Sequence, residues 1–237
     1  MRETDADRSL REAASTPRAR QEWSNRVRAE YGSAAITAQV LQWGIRFGLP
    51  RDLLDTAHRI VRDELDHAEL SHRCMVALGG SPEALTLDES DLAPPLDPAG
   101  PLVSLLKVTV ENYCFGETLA VPLFSAMRAQ TRLPVAREAL DRILRDEAVH
   151  RAFGWQTLTW LTSLDHDGVY TWVAHNLGRI EKGYEKAYGH VEAASPLTPA
   201  EEAVGLLSPQ RYRDIFGATL TQDIRPRFHR LGLLPAR

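Results

Sequence analysis

A nine-residue pattern that carries glutamate and histidine occurs twice in this chain. Residues 59–67 read RIVRDELDH and residues 142–150 read RILRDEAVH, so both copies contain Arg-Ile-x-Arg-Asp-Glu-x-x-His. A glutamate and a histidine three positions apart lie one turn apart on the same face of a helix. Two such helices, each paired with a helix that donates one more glutamate, form the four-carboxylate, two-histidine cage of a di-metal bundle. The repeat therefore predicts a buried site for two metal ions.

The two copies of the repeat supply four candidate ligands. Glu64 and Glu147 are predicted to bridge the two ions, because a carboxylate has two oxygens and can change its binding mode with the metal oxidation state. His67 and His150 are each predicted to bind one ion through an imidazole nitrogen. This combination of oxygen and nitrogen donors suits iron or manganese, and the ligand types alone do not decide between Fe/Fe, Mn/Fe and Mn/Mn.

Each of the other two helices is expected to add one glutamate at the height of the repeat. In the first half only Glu30 is suitable, because it lies 20 residues before the proline that separates the two helices and Glu64 lies 14 residues after it. At about 1.5 Å per residue these heights roughly match in an antiparallel hairpin. In the second half Glu117 matches Glu147 in the same way, and Glu111 is the alternative, about one and a half turns farther out.

An aspartate precedes the glutamate of each copy of the repeat. A histidine that binds a metal normally donates its other ring N–H to a carboxylate or a carbonyl. We expect this contact to cross the bundle, with Asp63 beside His150 and Asp146 beside His67. A third Glu-x-x-His, at residues 69–72, lacks the aspartate and has no counterpart in the second half. It is interpreted as solvated surface.

The positions of apolar residues predict an all-α protein without β-strands. The four longest helices are expected over residues 17–47, 51–78, 102–130 and 134–164, the third with a kink near Pro122. The apolar face of the first helix is expected at Val27, Ala34, Ala38 and Leu41. The face of the second helix that carries the repeat is expected at Leu53, Ala57, Ile60, Glu64, His67, Ser71 and Cys74.

Three segments are expected along the chain. Residues 1–16 are polar and are predicted to be a flexible N-terminus. Residues 17–165 are predicted to form a four-helix bundle in which the proline-rich stretch at 81–100 is the long crossover between the second and third helices. Residues 166–237 are predicted to add C-terminal helices that pack on the bundle as part of the same domain. One of these begins at Thr198-Pro199-Ala200-Glu201, which has the form of a capping box.

The bulk composition is that of a globular protein and disfavours several classes of function. The net charge is −4 and no basic stripe is present, so no nucleic-acid partner is expected. No stretch of about 18 apolar residues occurs, and the N-terminal segment has no apolar core, so neither a membrane span nor a secretory signal is expected. The two cysteines, Cys74 and Cys114, form no Cys-x-x-Cys motif, which is typical of a cytoplasmic protein.

Over roughly residues 20–165 the chain resembles the ferritin-like di-iron carboxylate superfamily. The Asp-Glu-x-x-His motif is similar to that of the bacterial multicomponent hydroxylases, and the spacing of the ligands is similar to that of arylamine N-oxygenases and aldehyde-deformylating oxygenases. The resemblance implies a ferritin-like four-helix bundle with additional C-terminal helices, two iron ions (manganese is the alternative in one or both sites) and O₂ as co-substrate. It also implies six catalytic metal ligands, which are Glu30, Glu64, His67, Glu117, Glu147 and His150.

Two positions depart from particular members of the superfamily. Arylamine N-oxygenases carry an extra histidine where this chain has Ile143, and the radical-generating subunit of ribonucleotide reductase carries a tyrosine where this chain has Ser71. Iron-storage ferritins are usually shorter and lack the extra C-terminal helices. Because such helices can cover one end of the bundle and shape a pocket, they favour an enzyme.

The function that these observations predict is a non-haem di-iron oxygenase or oxidase acting on a small organic substrate. Hydroxylation, N-oxygenation, desaturation and C–C cleavage remain open. Electrons are expected from an external donor, because the sequence contains no flavin or nicotinamide fingerprint. A ferroxidase or iron-handling protein and a peroxide-removing di-manganese or di-iron enzyme are the alternatives. A monomer or a homodimer is expected.

Overall fold

A computed structural model of the chain describes residues 4–92, 96–189 and 196–235, and every regular element in these ranges is a helix. The predicted all-α class is therefore confirmed. None of the described helices combines the length and the apolar character needed to cross a membrane. The elements in chain order are α1 (Asp5–Ala14), α2 (Pro17–Phe47), α3 (Arg51–Ala77), α4 (Glu89–Leu92), α5 (Pro101–Val108), π1 (Thr109–Glu117), α6 (Thr118–Gln130), α7 (Pro134–Leu164), α8 (His166–Gly189), α9 (Pro199–Glu202), α10 (Pro209–Thr219), π2 (Leu220–Ile224) and α11 (Arg225–Arg230).

The ends of α2 follow directly from local sequence. The Thr16 side chain accepts a hydrogen bond from the Ala19 backbone N–H at 3.1 Å, and Pro17 occupies the first helical position, where no N–H is needed. At the other end Gly48 has φ 77°, the left-handed conformation that closes a helix and that glycine adopts without strain. The predicted range of this helix, residues 17–47, is confirmed.

The third long helix is a composite of α5, π1 and α6. Its predicted bounds of 102–130 agree with the observed Pro101–Gln130. Its interior differs from the prediction, because π1 replaces α-helical geometry over nine residues. The proline expected to kink the helix, Pro122, lies inside α6, on the C-terminal side of π1. The departure from regular geometry therefore lies upstream of the residue that the sequence pointed to.

The four long helices contact one another in a ring. α2 packs against α3, α3 against α7, α7 against π1 and α6, and α5 packs back against α2. The face of α3 predicted from the sequence is confirmed, since every one of its seven residues is buried. The buried face of α3 and the face of α7 that carries the second copy of the repeat therefore meet at the centre of the ring.

The predicted face of α2 is partly wrong. Val27 and Ala34 are buried, but Ala38 is exposed and its neighbour Thr37 is fully buried instead. The Thr37 hydroxyl lies 2.6 Å from the Tyr113 hydroxyl and also donates to the Ser33 carbonyl at 2.8 Å. A buried threonine is tolerated here because both hydrogen-bonding functions of its hydroxyl have partners.

The sequence predicted a flexible N-terminus over residues 1–16, and the described part of this segment contains a helix. Residues 5–14 form α1, which begins with a capping box in which the Thr4 and Asp7 side chains each bond to the other's backbone N–H. Ala14 is fully buried at the end of α1, and the Thr16 hydroxyl donates to Glu201 at 2.8 Å. This segment is held by its contacts with α9, which lies far away in sequence. Residues 1–3 lie outside the described part of the chain.

The C-terminal helices pack on the bundle. α10 contacts α6 and α8, and α8 contacts α7. Trp23 of α2 donates its indole N–H to the Val204 carbonyl at 3.0 Å, and the Phe228 ring lies 5.2 Å from the Trp155 ring in an edge-on arrangement. The capping box predicted at Thr198 is present at the start of α9. Residues 190–195 and 236–237 lie outside the described ranges.

Candidate metal centre

The two copies of the repeat face each other across the centre of the ring. Glu64 and His67 lie one turn apart on α3, and Glu147 and His150 lie one turn apart on α7. All four side chains are at most 2% exposed. Four ionisable groups at such a depth are costly unless each has a partner of opposite charge or a metal ion.

The two central glutamates each have one oxygen near each histidine. Glu64 places Oε2 3.4 Å from His67 Nδ1 and Oε1 3.3 Å from His150 Nδ1. Glu147 places Oε1 3.9 Å from His67 Nδ1 and Oε2 3.9 Å from His150 Nδ1. The two imidazole centroids are 5.7 Å apart. Both carboxylates therefore occupy the position of a bridge between two centres, each of which is marked by one histidine.

The other two predicted glutamates flank this core. Glu30 on α2 is buried, places Oε2 3.9 Å from His67 Nδ1 and lies near enough to Glu64 for burial and that carboxylate together to raise its pKa. Glu117, the last residue of π1, is buried, and burial together with the Glu117 charge raises the pKa of Glu147. Donor atoms that lie within 4.8 Å of one another form two groups, one of Glu30, Glu64 and His67 and one of Glu64, Glu147 and His150. Glu64 belongs to both groups.

Several atoms that point into the centre have no hydrogen-bond partner within the described part of the chain. These atoms are Glu64 Oε2, Glu147 Oε2, His67 Nδ1 and His150 Nδ1. A buried polar atom without a partner costs about 1–3 kcal/mol, and more if it is charged. A divalent cation would satisfy carboxylate oxygens and imidazole nitrogens together. The donor set therefore fits a pair of metal ions bound between α3 and α7.

The proton affinities of the carboxyl groups reflect their crowding. Burial, together with the charge of neighbouring carboxylates, raises the pKa of Glu30 and of Glu147 well above 4.5, and burial raises the pKa of Glu117. Burial alone would also raise the pKa of Glu64, but the adjacent imidazoles of His150 and His67 lower it. The imidazoles therefore favour the ionised form of Glu64, whereas burial and neighbouring negative charge favour the protonated forms of Glu30 and Glu147.

The structure places each aspartate beside the histidine of the opposite copy, in the pairing expected from the sequence. Asp146 Oδ2 lies 3.3 Å from His67 Nε2, within hydrogen-bond distance, and Asp63 Oδ2 lies 3.6 Å from His150 Nε2, slightly beyond it. Both aspartates are 1% exposed, so neither is turned to solvent. An aspartate that accepts a hydrogen bond from Nε2–H leaves the Nδ1 lone pair directed at the centre.

The sequence reasoning missed the arginines that hold these aspartates. Arg59 donates from Nε to Asp63 at 3.1 Å, and Arg142 donates from Nη2 to the other oxygen of Asp63 at 3.1 Å. Arg142 also donates from Nε to Asp146. The signal was present, because in both copies of the repeat an arginine stands four positions before the aspartate, the spacing of an ion pair on a helix.

A second group that the sequence did not single out supports the glutamates from α2. The Ser33 hydroxyl donates to Glu64 Oε1 at 2.8 Å. Its position one turn after Glu30 was the only available signal, and serine on a helix is too common for that signal to be specific.

Two other glutamates noted in the sequence, the alternative Glu111 and the surface residue Glu69, lie outside the centre. Glu111 is at the outer side of π1, where Arg179 donates to it at 2.6 Å. Glu69, of the third Glu-x-x-His, is exposed on α3. Among the described residues, Glu30, Glu64 and Glu147 belong to the two ligand groups at the centre, and Glu117 lies near Glu147 without belonging to either group.

Comparison of the chain with protein-family models, with curated proteins and with solved structures finds no match. The resemblance stated above therefore depends on the ligand motif and on the geometry of the centre.

Proposed function

We propose that this chain is a ferritin-like, non-haem di-iron oxidoreductase that uses O₂ to oxidise a small organic substrate. The observation that carries the proposal is that the carboxylates of Glu64 and Glu147 each present one oxygen to each of the two histidines. An isolated metal-binding or structural site needs no such pair of bridges. Four carboxylates and two imidazoles in a helical bundle are the donor set of di-iron carboxylate proteins.

In this proposal one ion is held by Glu30 and His67, the other by Glu117 and His150, and both by the central pair of glutamates. Bound iron would supply the redox chemistry and the activation of O₂, which side chains alone do not provide. Manganese in one or both positions would use the same donors.

The chain itself controls the orientation of the ligands and the access of water. Arg59 and Arg142 hold Asp63 and Asp146, and these fix the rings of His150 and His67 with Nδ1 toward the centre. The central side chains are almost completely buried, which excludes bulk water and strengthens the electrostatic interactions between them. The proposed reaction also requires a small organic substrate and an external electron donor.

The test is reconstitution with iron followed by exposure to O₂. Protein purified without oxygen is loaded with Fe(II), its iron content is measured, and the visible absorption is followed after O₂ is added. We expect about two irons per chain and a transient absorption band. Glu64→Ala and His150→Ala should each abolish the band. A chain that binds no metal under any loading condition would refute the proposal.

The exposed third motif provides matched controls. Glu69→Ala removes a glutamate of the same sequence pattern from the same helix, but outside the centre, and should leave iron content and the band unchanged.

The two alternative functions have distinct outcomes. Assembly into a large shell that retains iron would indicate iron handling, and rapid peroxide disproportionation without an organic substrate would indicate a peroxide-removing enzyme.

A further inference from the structure

The segment that carries Glu117, π1, is contacted by α8 from outside the bundle. Tyr184 of α8 donates its hydroxyl to the backbone carbonyl of Glu111, in the first part of π1, at 2.7 Å. Arg179, just over one turn earlier on α8, donates to the Glu111 carboxylate at 2.6 Å. The Tyr184 ring stacks on Phe115 of π1, with ring centroids 5.4 Å apart. The same short segment is thus held through its backbone, through a charged side chain and through a ring.

Two glycines show that this contact is built into the sequence. A Cβ atom at Gly116 would lie 3.3 Å from the Tyr184 hydroxyl, so the absence of a side chain there leaves room for the hydroxyl. On the opposite side of π1, a Cβ atom at Gly154 of α7 would lie 2.3 Å from the Tyr113 Cβ. A distance that short is not sterically allowed, so π1 packs against the bare backbone of α7. The π segment is therefore confined on both sides.

The register of π1 decides where Glu117 points. Successive residues of a regular helix are rotated by roughly 100° about its axis, so a shift of one residue would turn Glu117 away from Glu147. π-helical turns are intrinsically rare and poorly favoured, and they persist where surrounding contacts hold them. The Tyr184 hydroxyl provides such a contact, because it donates to the Glu111 carbonyl. In a regular α-helix that carbonyl would accept from the backbone N–H four residues later.

We propose that Tyr184, assisted by Arg179, is a positioning residue that keeps π1 in the register that directs Glu117 into the metal centre. The effect on metal binding rests on the function proposed above. The effect on π1 does not, because it concerns the protein without metal. The C-terminal helices would then contribute to the centre, although none of the predicted ligands lies on them.

The two cysteines of the chain provide an internal test. Cys114 lies inside π1 and is fully buried, whereas Cys74 lies on α3 and is buried away from π1. A thiol reagent labels each cysteine only when its segment opens, and mass spectrometry of the two peptides separates the rates. In metal-free protein we expect Tyr184→Phe to speed labelling of Cys114 by about two- to tenfold, the range for one hydrogen bond, and to leave Cys74 unchanged.

The controls separate this effect from general destabilisation. Tyr170→Phe removes a hydroxyl from the same helix about 20 Å from Tyr184 and should change neither rate. Arg179→Ala, at a side chain that is 59% exposed, should speed Cys114 alone and serves if Tyr184→Phe does not fold. An unchanged Cys114 rate would overturn the proposal, and so would equal acceleration of both cysteines, since that would reflect loss of stability throughout the chain.

A second readout concerns the metal ions. Iron titration of Tyr184→Phe should show weaker binding of one ion of the pair, by about 10- to 100-fold as for other residues that orient ligands, with the other ion unaffected. Gly116→Ala should weaken the same ion, and the two changes together should do no more than either alone, because both disturb one contact. If wild-type protein binds no metal, the function fails and cysteine labelling alone decides whether Tyr184 holds π1.

Discussion

The two halves of the bundle supply the same types of candidate ligand from different backbones. In the first half Glu30 lies on α2, which runs as an uninterrupted α-helix from Pro17 to Phe47. In the second half Glu117 lies at the end of π1, within a helix that changes geometry twice. The two copies of the repeat on α3 and α7 share six of their nine residues, including the glutamate and the histidine, so the asymmetry comes from the helices that face them. Conserved ligand spacing within a chain does not imply equal surroundings.

A pair of matched positions shows where the halves differ. Ser71 follows His67 by four residues, and Gly154 follows His150 by four residues. Ser71 is fully buried, whereas no side chain fits at Gly154 because Tyr113 of π1 fills that space. At this pair of positions the two helices of the second half therefore pack more closely than those of the first, and this crowding occurs beside the candidate metal centre.

The largest expected effect is loss of metal binding, and it tests whether the halves are equivalent as ligand sets. Glu64→Ala should abolish binding of both ions, because Glu64 belongs to both ligand groups. Glu30→Ala and Glu117→Ala should each leave about one ion per chain, with the other ligand set intact. Iron content after anaerobic loading and gel filtration measures this. Loss of both ions in Glu30→Ala would show that the first half is the required one.

The pH dependence of stability should also differ between metal-free and metal-loaded protein. Burial raises the pKa of Glu30, Glu117 and Glu147, so the folded metal-free protein binds more protons than the unfolded chain above pH 4.5. Its free energy of unfolding should therefore fall as pH rises through this window. Metal ions displace the protons, so metal affinity and the stability added by metal should increase with pH.

Melting temperatures between about pH 5 and about pH 8 test this expectation. The gap between metal-loaded and metal-free protein should widen as pH rises. Both glutamates of the second half have a raised pKa, but only Glu30 in the first half does. Replacing Glu117 and Glu147 together by glutamine should therefore reduce the pH dependence of the metal-free melting temperature more than Glu30→Gln does. A melting temperature that rises with pH in the metal-free protein would contradict the expectation.

Crowding in the second half predicts unequal responses to small substitutions. Gly154→Ala should destabilise the protein by about 1–3 kcal/mol, because the added methyl group forces π1 away from α7. Ser71→Ala should be close to neutral, since the buried Ser71 hydroxyl has no hydrogen-bond partner within the described residues. Urea unfolding of the two variants measures the difference. Equal losses would mean that the halves are packed alike.

The smallest expected effect compares the two arginines of the repeat. Both arginines form ion pairs with both buried aspartates, but the Arg142 side chain is 29% exposed and makes the shorter contact with Asp146, whereas the Arg59 side chain is 49% exposed. Arg142→Gln should therefore destabilise the protein by about 1–3 kcal/mol, and Arg59→Gln by less than about 1 kcal/mol. Urea unfolding of both single variants and of the double variant tests the ranking. An Arg59 effect as large as the Arg142 effect would contradict it.

Features carried by local sequence were predictable. The bounds of α2 follow from Thr16, Pro17 and Gly48, and the buried face of α3 follows from the spacing of its apolar and ligand residues. The pairing of Asp63 and Asp146 with opposite histidines could be anticipated because a metal-bound imidazole needs a second partner. These features depend on contacts within a helix or on chemistry that any occupant of the site requires.

Features that depend on distant partners were not predictable in the same way. Thr37 is buried in place of Ala38 only because Tyr113 supplies a hydroxyl from another helix. Residues 1–16 were expected to be flexible, and within them α1 contacts α9 and the Thr16 hydroxyl donates to Glu201. In each case a residue more than 70 positions away supplies a contact that the local sequence does not reveal.

The sequence alone determined the types of candidate ligand and their order, because the repeated Glu-x-x-His needs only the 3.6-residue helical period to place both side chains on one face. The tertiary structure decided which of the two remaining glutamates lies near Glu147. Glu117 is buried there at the end of π1, whereas Arg179 and Tyr184 hold Glu111 at the outside. A π segment is set by the packing of α7 and α8 around it, and no helical period in the sequence encodes that packing.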